Sequence, residues 1–210
     1  MPRLTQRGSG VAVLSNDDRA IAWFPDAGSD VGVSVYSDLD EARLRAEGLV
    51  AQLGPRQYVT TSASTTSGVT RIVAASLRKG VVLGAAWVGV AVNGAGLTLA
   101  KVGVWNTAGA LLAGTGDFSA GLSAGAANRG ASASFATPYV VPADGLYYVG
   151  LLQVGTTPAQ VGLLSNTAAA VGWPLVGTVM PHGSLSGQTD LAGFTPPLLV
   201  SAVNPWIGFS

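Results

Sequence analysis

Residues 98–153 read TLAKVGVWNTAGALLAGTGDFSAGLSAGAANRGASASFATPYVVPADGLYYVGLLQ and contain the two strongest strand patterns of the chain. At the front of this stretch two sets of residues alternate, namely Ala100, Val102 and Val104 with Lys101, Gly103 and Trp105. A period of two predicts a strand with one buried face. At its back, residues 146–152 (LYYVGLL) are aromatic or aliphatic on both faces, which predicts a strand in the middle of a sandwich. The sequence PADG at 142–145 predicts a turn before that strand.

The region from residue 57 to residue 210 is rich in β-branched, aromatic, glycine and serine residues and has no helical period. Short apolar runs alternate there with turn signals at regular spacing, which predicts a jelly-roll-like β-sandwich. Residues 165–172 and 178–193 are interpreted as long loops. The predicted strands are 58–62, 69–77, 81–92, 98–105, 110–113, 131–136, 139–141, 146–154, 160–164, 173–179 and 198–203.

Residues 1–56 differ from the rest of the chain in their pattern of residue types. They predict a small α+β element that anchors or docks the sandwich. Apolar runs at 11–14, 21–24 and 31–36 predict short strands, and residues 38–53 predict one helix, capped by Ser37 or Asp38 and stopped by a Gly-Pro pair. Its apolar stripe either packs on the preceding strands or contacts another subunit. The residues of this candidate docking face are Leu39, Ala42, Ala46, Leu49, Val50 and Leu53. The chain is therefore expected to be mainly β, with one helix near its beginning.

Charge is scarce and unevenly distributed in this chain. Only 10% of the residues are charged and the net charge is zero, against about 25% charged residues in an average domain. Residues 1–56 carry 14 of the 22 charges. The larger region must therefore cover its surface with uncharged polar groups or bury it against other subunits. The lack of a basic patch argues against a nucleic-acid partner.

An uncharged run of 21 residues, 80–100, is long enough to cross a bilayer. Five glycines and the turn signal NGAG at 93–96 interrupt it. We therefore interpret the run as two buried strands joined by a hairpin, without membrane insertion.

The residues that could carry catalysis are few and scattered. The sequence GLSAG at 121–125 matches G-x-S-x-G, but that motif needs a strand before it, a helix after it and a histidine base. His182 is the one histidine, and it lies in the loop-like sequence MPHG. The chain has no cysteine, and the carboxylates beyond residue 56 are Asp117, Asp144 and Asp190. The sequence therefore predicts no catalytic residue, no metal site and no cofactor.

Aromatic residues beside polar loops offer a binding site more readily than a catalytic one. They either form a sugar-stacking platform or belong to the core. The closing sequence WIGF at 206–209 either tucks over the end of the sandwich or contacts another chain. The candidate contacts to a glycan or a partner are Trp105, Asn106, Trp173, His182 and Trp206.

The segments KVGVWNTAGALLAGTGDFSAGL (101–122) and ASFATPYVVPADGLYYVGLLQVGTTPAQVG (133–162) resemble β-sandwich domains in structural proteins of tailed bacteriophages. Such domains occur in minor tail proteins, tail fibres and head spikes. In them an aromatic-ended strand leads into an LLA hairpin, and a later PYxV…GxYYVxLL strand returns through the core. The resemblance covers residues 57–164, and the matching residues are Trp105, Gly109, Leu111, Leu112, Ala113, Pro138, Tyr139, Val141, Gly145, Tyr147, Tyr148 and Val149.

This resemblance implies a non-enzymatic virion component on the particle surface that contacts other virion proteins and is often trimeric. A minor tail or fibre protein and a capsid decoration protein remain open alternatives, and either could contribute to attachment to the host surface. A second hypothesis is a carbohydrate-binding module that recognises host cell-surface glycans. A third, a hydrolase of envelope polysaccharide, has only the G-x-S-x-G match to support it.

Overall fold

The computed structural model describes residues 3–7, 10–14, 20–25, 48–53, 59–124, 129–164, 182–196 and 203–210. The chain divides into two compact units, residues 1–47 and residues 48–210. In the first unit, β1 (Arg3–Arg7), β2 (Gly10–Leu14) and β3 (Ala20–Pro25) form an antiparallel sheet in the order β1-β2-β3. The predicted strand 31–36 lies outside the described residues.

The second unit contains eleven of the described strands and one short helix. The strands are β4 (Ala51–Gln52), β5 (Val59–Ser64), β6 (Thr70–Leu77), β7 (Val82–Val92), β8 (Ala95–Trp105), β9 (Leu111–Gly114), β10 (Arg129–Val140), β11 (Gly145–Thr157), β12 (Gln160–Leu164), β13 (His182–Leu185) and β14 (Ile207–Phe209). Helix α1 (Ser119–Ser123) lies between β9 and β10.

The strands of the second unit form two antiparallel sheets, as the sequence predicts for a β-sandwich. The six-stranded sheet runs β4-β14-β7-β12-β5, with β10 paired to the other edge of β7. The five-stranded sheet runs β13-β6-β11-β8-β9. From β5 onward the chain changes sheet at almost every connection, and β8 and β9 are the one consecutive pair in the same sheet.

The main core lies on the facing sides of the two sheets. Its members on β8 are Ala100, Val102 and Val104, which confirms the period of two seen in the sequence. Strand β11 lies between β6 and β8, and its residues 147–153 are all buried, so this strand is buried on both faces. Burial on both faces explains why its sequence is apolar without alternation.

A smaller core covers the outer face of the five-stranded sheet. Ile72, Trp105 and Tyr148 form its buried centre. Residues 185–194, which belong to β13 and the segment after it, supply Leu185, Leu191 and Phe194 as a cover. We call this group the satellite core. Residues of β8 and β11 that point away from the main core, Trp105 and Tyr148, are therefore buried as well.

Several boundaries differ from the sequence-based prediction. The helix predicted for 38–53 does not include residues 48–53, since Gly48 has a φ of 70°, which an α-helix does not allow, and residues 51–52 form β4. Residues 38–47 lie outside the described part. The predicted hairpin at 93–96 is wrong because β7 and β8 belong to different sheets. The strands 131–136 and 139–141 are one strand, β10, with a bulge between Ser134 and Tyr139.

Candidate binding site

Trp105, predicted as a ligand contact, is fully buried in the satellite core. Its Nε1 donates a hydrogen bond to the carbonyl of Ala192 (2.8 Å), and its ring centroid lies 6.0 Å from that of Phe194. The next residue, Asn106, shapes a turn, since its Oδ1 accepts a hydrogen bond from the amide of Ala110 (2.9 Å). The prediction that Trp105 presents a ring to a ligand is therefore corrected, because the chain itself covers that ring.

Trp206 is buried as well and tucks over the six-stranded sheet. Its amide donates to the carbonyl of Gly162 (2.9 Å), and its ring and Leu49 lie next to Gly208. Of the two interpretations of residues 206–209, the structure supports the tucked one, since Ile207 and Phe209 are core residues. A ring in this position has no exposed face to offer a ligand.

Some of the remaining candidates lie in the described part of the chain, and the others lie outside it. Leu49 is buried, Val50 is exposed and Leu53 is half-buried, and none of them lies on a helix. His182, predicted in a loop, is the first residue of β13, and its backbone pairs with that of Val73. The candidates Trp173, Leu39, Ala42 and Ala46 lie outside the described residues.

Among the tryptophans whose side chains the structure describes, the exposed one is Trp87, which the sequence did not single out. Trp87 lies near the middle of β7 and points away from the core, and 38% of its surface is exposed. Its Nε1 donates a hydrogen bond to Oγ of Ser210 (2.9 Å), on one side of β7. On the other side, the Cε3–Cζ3 edge of its ring passes 3.5–3.9 Å from the position that a Cβ of Gly130 would occupy. The indole is thus held at its Nε1 end by Ser210, and the absence of a side chain at Gly130 makes room for its other edge.

The surroundings of Trp87 are small and polar on the side of β10, whereas on the side of β14 the buried Trp206 ring and Leu49 lie next to Gly208. On β10, Ser132 is exposed and stands directly opposite Trp87, and Gly130 stands opposite Gly89. On β14, Gly208 is its other neighbour. We call the outward face of β7, β10 and β14 around this residue the Trp87 face. An exposed aromatic ring beside polar groups is the combination that a sugar-stacking site requires, and the sequence predicts it around Trp105 and Trp173.

The signal for Trp87 was present in the sequence but concealed by its composition. Residues 80–92 are almost all apolar or glycine, so no polar alternation marks the outer face. The period of two does place Trp87 on the side opposite to Ala86 and Val88, which are both fully buried. Whether the outer side of β7 is exposed or covered depends on segments far away in the sequence, so the residues of β7 alone do not predict it.

The carboxylates of the second unit hold loops rather than form a pair. Asp144 accepts a hydrogen bond from the amide of Lys79 (2.7 Å), and Asp190 forms an ion pair with Lys101 (2.8 Å). The hydrogen bonds from Lys101 and from the amide of Leu191 hold the pKa of Asp190 below its ordinary value. Each carboxylate thus has a structural partner in this part of the chain.

Asp117 stabilises the start of helix α1. Its Oδ1 accepts hydrogen bonds from the amides of Ala100 (2.8 Å) and Ser119 (2.9 Å), and its Oδ2 accepts one from the hydroxyl of Ser119 (3.0 Å). Burial alone would raise the pKa of Asp117, but these hydrogen bonds and the charge of Lys101 hold the pKa below its ordinary value.

The G-x-S-x-G match has a different setting from the one that catalysis requires. Ser123 is the last residue of the five-residue helix α1, whereas a nucleophile elbow places its serine between a strand and a helix. Among the described residues there is no group of three or more metal-ligating side chains. Within the described residues, no helix has the length and the apolar character that crossing a bilayer requires.

Comparisons with protein-family models, with curated proteins and with solved structures found no significant match to this chain. The class defined by the described residues is therefore a mainly antiparallel β-sandwich with an exposed tryptophan on one outer face.

Proposed function

We propose that this chain is a non-enzymatic structural protein on the surface of a tailed-bacteriophage virion, in the tail, in a fibre or as a capsid decoration. The proposal comes from the resemblance of residues 57–164 to sandwich domains of such particles. In this role the protein contacts other virion proteins and contributes to attachment to the host surface. The oligomer proposed for it is a trimer.

One observation carries the proposal, namely that the two resembling segments are spatial neighbours. The first segment forms the β8–β9 hairpin, in which Trp105 pairs with Leu111. The second includes β11, which pairs with β8 and places Tyr148 opposite Trp105. The aromatic end of the first pattern and the tyrosine pair of the second therefore lie side by side. This arrangement supports the resemblance because the two motifs form one unit of structure.

The order of the strands supports a jelly-roll-like sandwich as the form of this display domain. Four strands in the order β5-β12-β7-β10 belong to one sheet, and four in the order β6-β11-β8-β9 belong to the other. In the proposed jelly roll these are the eight basic strands, with β4, β13 and β14 added at the edges and beside β7. Such a sandwich is a stable platform on which an outer face can be presented.

The proposal is tested on purified particles. Immunogold labelling with an antibody against this chain should mark a fixed place on the virion, and light scattering should give the mass of the free protein. Label at the tail tip or fibres assigns a tail role, whereas label over the head assigns decoration. Absence of the chain from particles that contain all other structural proteins would reject the proposal.

The second candidate function is carbohydrate recognition, and the observation that favours it is the exposed ring of Trp87. Of the tryptophans predicted for it, Trp105 and Trp206 are buried, and Trp173 lies outside the described residues. The candidate therefore depends on a residue from a different strand, and its chemistry is developed below.

A further inference from the structure

We propose that the Trp87 face binds a neutral carbohydrate by stacking one pyranose ring on the exposed side of the indole. The inference names the partner of the proposed host attachment and rests on that function for its biological role. The binding itself is a property of the isolated protein and is tested separately.

The indole is preorganised for stacking. The hydrogen bond from Nε1 to Ser210 orients the ring, and the missing side chain of Gly130 leaves room for its opposite edge. A sugar that stacks on this ring does not have to immobilise a rotating side chain, so less entropy is lost on binding. The flat C–H surface of a pyranose matches a fixed aromatic face, and its hydroxyl groups require polar partners at the rim.

The rim supplies such partners and leaves the space for a ligand open. Ser132 and Ser134 are exposed, and they alternate with the buried Ala131 and Phe135 and the half-buried Ala133 on β10, so their hydroxyls face outward. Gly89 follows Trp87 on the same face of β7, and a Cβ built on it would meet no atom within 4 Å. The absence of a side chain at Gly89 keeps one approach to the ring clear.

Charge indicates that the ligand is neutral. Exposed Arg129 at the start of β10 pairs with Val90, whose side chain belongs to the core, so Arg129 is not one of the outward residues. The described outward residues near the ring on β7, β10 and β14, together with Ser210 after β14, carry no acidic or basic side chain, and they are Ala85, Gly89, Ala91, Gly130, Ser132, Ser134, Gly208 and Ser210. An anionic sugar would lose its hydration here without gaining a cationic partner. A neutral sugar incurs no such penalty.

The size of the exposed aromatic surface favours a small ring over a second copy of the chain. A tryptophan side chain presents at most about 250 Å², so an exposure of 38% leaves roughly 100 Å². A stable protein interface buries about 800 Å² on each partner. The other large apolar residues exposed on this face, Val82 and Val140, pair with each other at the start of β7, five residues before Trp87. The ring is therefore separated along β7 from these exposed apolar residues.

A single stacked sugar gives weak binding, with an expected Kd in the millimolar range, or about −4 kcal/mol. Several copies on one particle would raise the apparent affinity through avidity, because each further contact becomes intramolecular. Weak single sites are thus compatible with tight attachment of a particle.

The test is a titration of the full-length protein followed by ¹H–¹⁵N NMR. The five tryptophans give five indole signals, and the signal of Trp87 is assigned by its loss in Trp87→Phe. The probes are D-glucose, D-galactose and N-acetyl-D-glucosamine, each raised to about 100 mM, well above the expected millimolar Kd. We expect at least one sugar to shift the Trp87 indole signal in a saturable way.

Two glycine variants separate binding from folding. Gly89→Gln should place a side chain beside the ring and abolish the saturable shift, whereas Gly145→Gln should leave it unchanged. A Cβ at either position meets nothing within 4 Å, and neither glycine has a positive φ, so both variants should fold. Trp87→Ala should also abolish binding, as seen by loss of the shifts in neighbouring amides.

Three results would overturn the inference: no saturable shift with any of the three sugars, a shift that persists in Gly89→Gln, or self-association of the protein that Trp87→Ala abolishes. The last result would assign the face to a second copy of the chain. Detection of the chain in particles is a separate experiment, so failure of sugar binding and failure of the virion role are distinguishable.

Discussion

Gly103 and Trp105 illustrate how one residue determines the space for another. They lie two apart on the same face of β8, and the indole folds back over the glycine, so a Cβ there would meet Cζ2 and Cζ3 at 2.8 Å. We expect Gly103→Ala to cost about 1–3 kcal/mol of unfolding free energy through overpacking. In a Trp105→Leu background the same change should cost much less, because the overlapping ring atoms are gone.

A double-mutant cycle measured by urea unfolding tests this coupling, which should lie within about 0.5–3 kcal/mol for residues in contact. Gly145→Ala is the control, since its Cβ would meet nothing within 4 Å. If the two substitutions are additive, the overlap of Trp105 with Gly103 does not limit this position.

Asp117 makes stability depend on pH in the acid range. Its pKa is held below the ordinary value of 3.8 in the folded protein. A depressed carboxyl pKa contributes stability that is complete above the unfolded pKa and is lost as the pH falls through the folded one. We therefore expect wild type to lose more stability than Asp117→Asn when the pH falls from neutrality to below 3.8.

The measurement is thermal unfolding across that pH range, with Asp144→Asn as the matched carboxylate variant. At neutral pH, Asp117→Ala should cost about 1–2 kcal/mol, as expected for loss of a side chain that caps backbone amides. Equal pH profiles for wild type and Asp117→Asn would contradict the proposed role of its hydrogen bonds.

Among the aromatic residues, sequence predicts the side of a strand and not whether that side is covered. The period of two places Trp105 opposite to the core-facing Val102 and Val104, and the structure confirms this. Trp105 is nevertheless buried because Phe194, almost ninety residues later, packs on it. Trp87 has the same placement relative to its own core neighbours, yet no described segment covers it completely.

At the scale of an element, the contacts that hold the segment covering the five-stranded sheet include the apolar packing of Phe194 and one ion pair. Phe194 packs against Trp105 and Tyr148, with ring centroids 6.0 Å and 5.5 Å away, and its amide donates to the carbonyl of Gly109 (2.8 Å). The ion pair of Lys101 with Asp190 lies further along, and the Asp190 side chain is 59% exposed. The burial of Phe194 should stabilise the segment more than the ion pair does, because exposed ion pairs contribute about 0.2–1 kcal/mol.

We therefore expect Phe194→Ala to release the segment and Lys101→Ala to leave it in place. Hydrogen exchange at the amide of Phe194 and at that of Gln188, which donates to the carbonyl of Gly68 (2.8 Å), reports on the opening. Phe194→Ala should cost about 2 kcal/mol or more, below the 3–5 kcal/mol of a fully buried phenylalanine. Faster exchange in Lys101→Ala than in Phe194→Ala would reverse this ranking.

The limits of sequence-based prediction at this scale are clearest in β4 and β14. Residues 49–53 have apolar spacing that fits a helix, but their backbone pairs with residues 207–209. Strand β14 has three residues, which are too few to show any period. It forms because its backbone pairs with that of β7. Longer strands such as β8 and β11 were predictable because their own side chains specify two faces.

At the scale of the whole molecule, the sandwich class was predictable and the assignment of strands to sheets was not. Turn signals at regular spacing indicate many short strands. They do not indicate that the chain crosses to the other sheet at residues 93–94, where the amide of Gly94 donates to the carbonyl of Leu122 (3.0 Å). Contacts of this kind join residues far apart in sequence, so a local pattern contains no trace of them.

The boundary between the two units leads to the last prediction. Removal of residues 1–47 keeps all of the second unit, so the remaining chain should fold with nearly unchanged stability. Removal of residues 1–53 also deletes β4 and buried Leu49, together with the hydrogen bonds from the amides of Val50 (2.7 Å) and Leu53 (2.9 Å) to β14. We expect this second truncation to cost about 2–4 kcal/mol, the sum of lost burial and lost hydrogen bonds.

The same two truncations test whether the N-terminal unit anchors the sandwich to a particle. If residues 1–47 are the docking element, the chain 48–210 should unfold cooperatively like wild type in urea and yet be missing from purified virions in an immunoblot. Full-length Gly145→Gln is the control for a folded protein with an intact first unit. Normal incorporation of the chain 48–210 would instead place the docking surface on the sandwich, where the exposed apolar pair Val82 and Val140 would be the first residues to mutate.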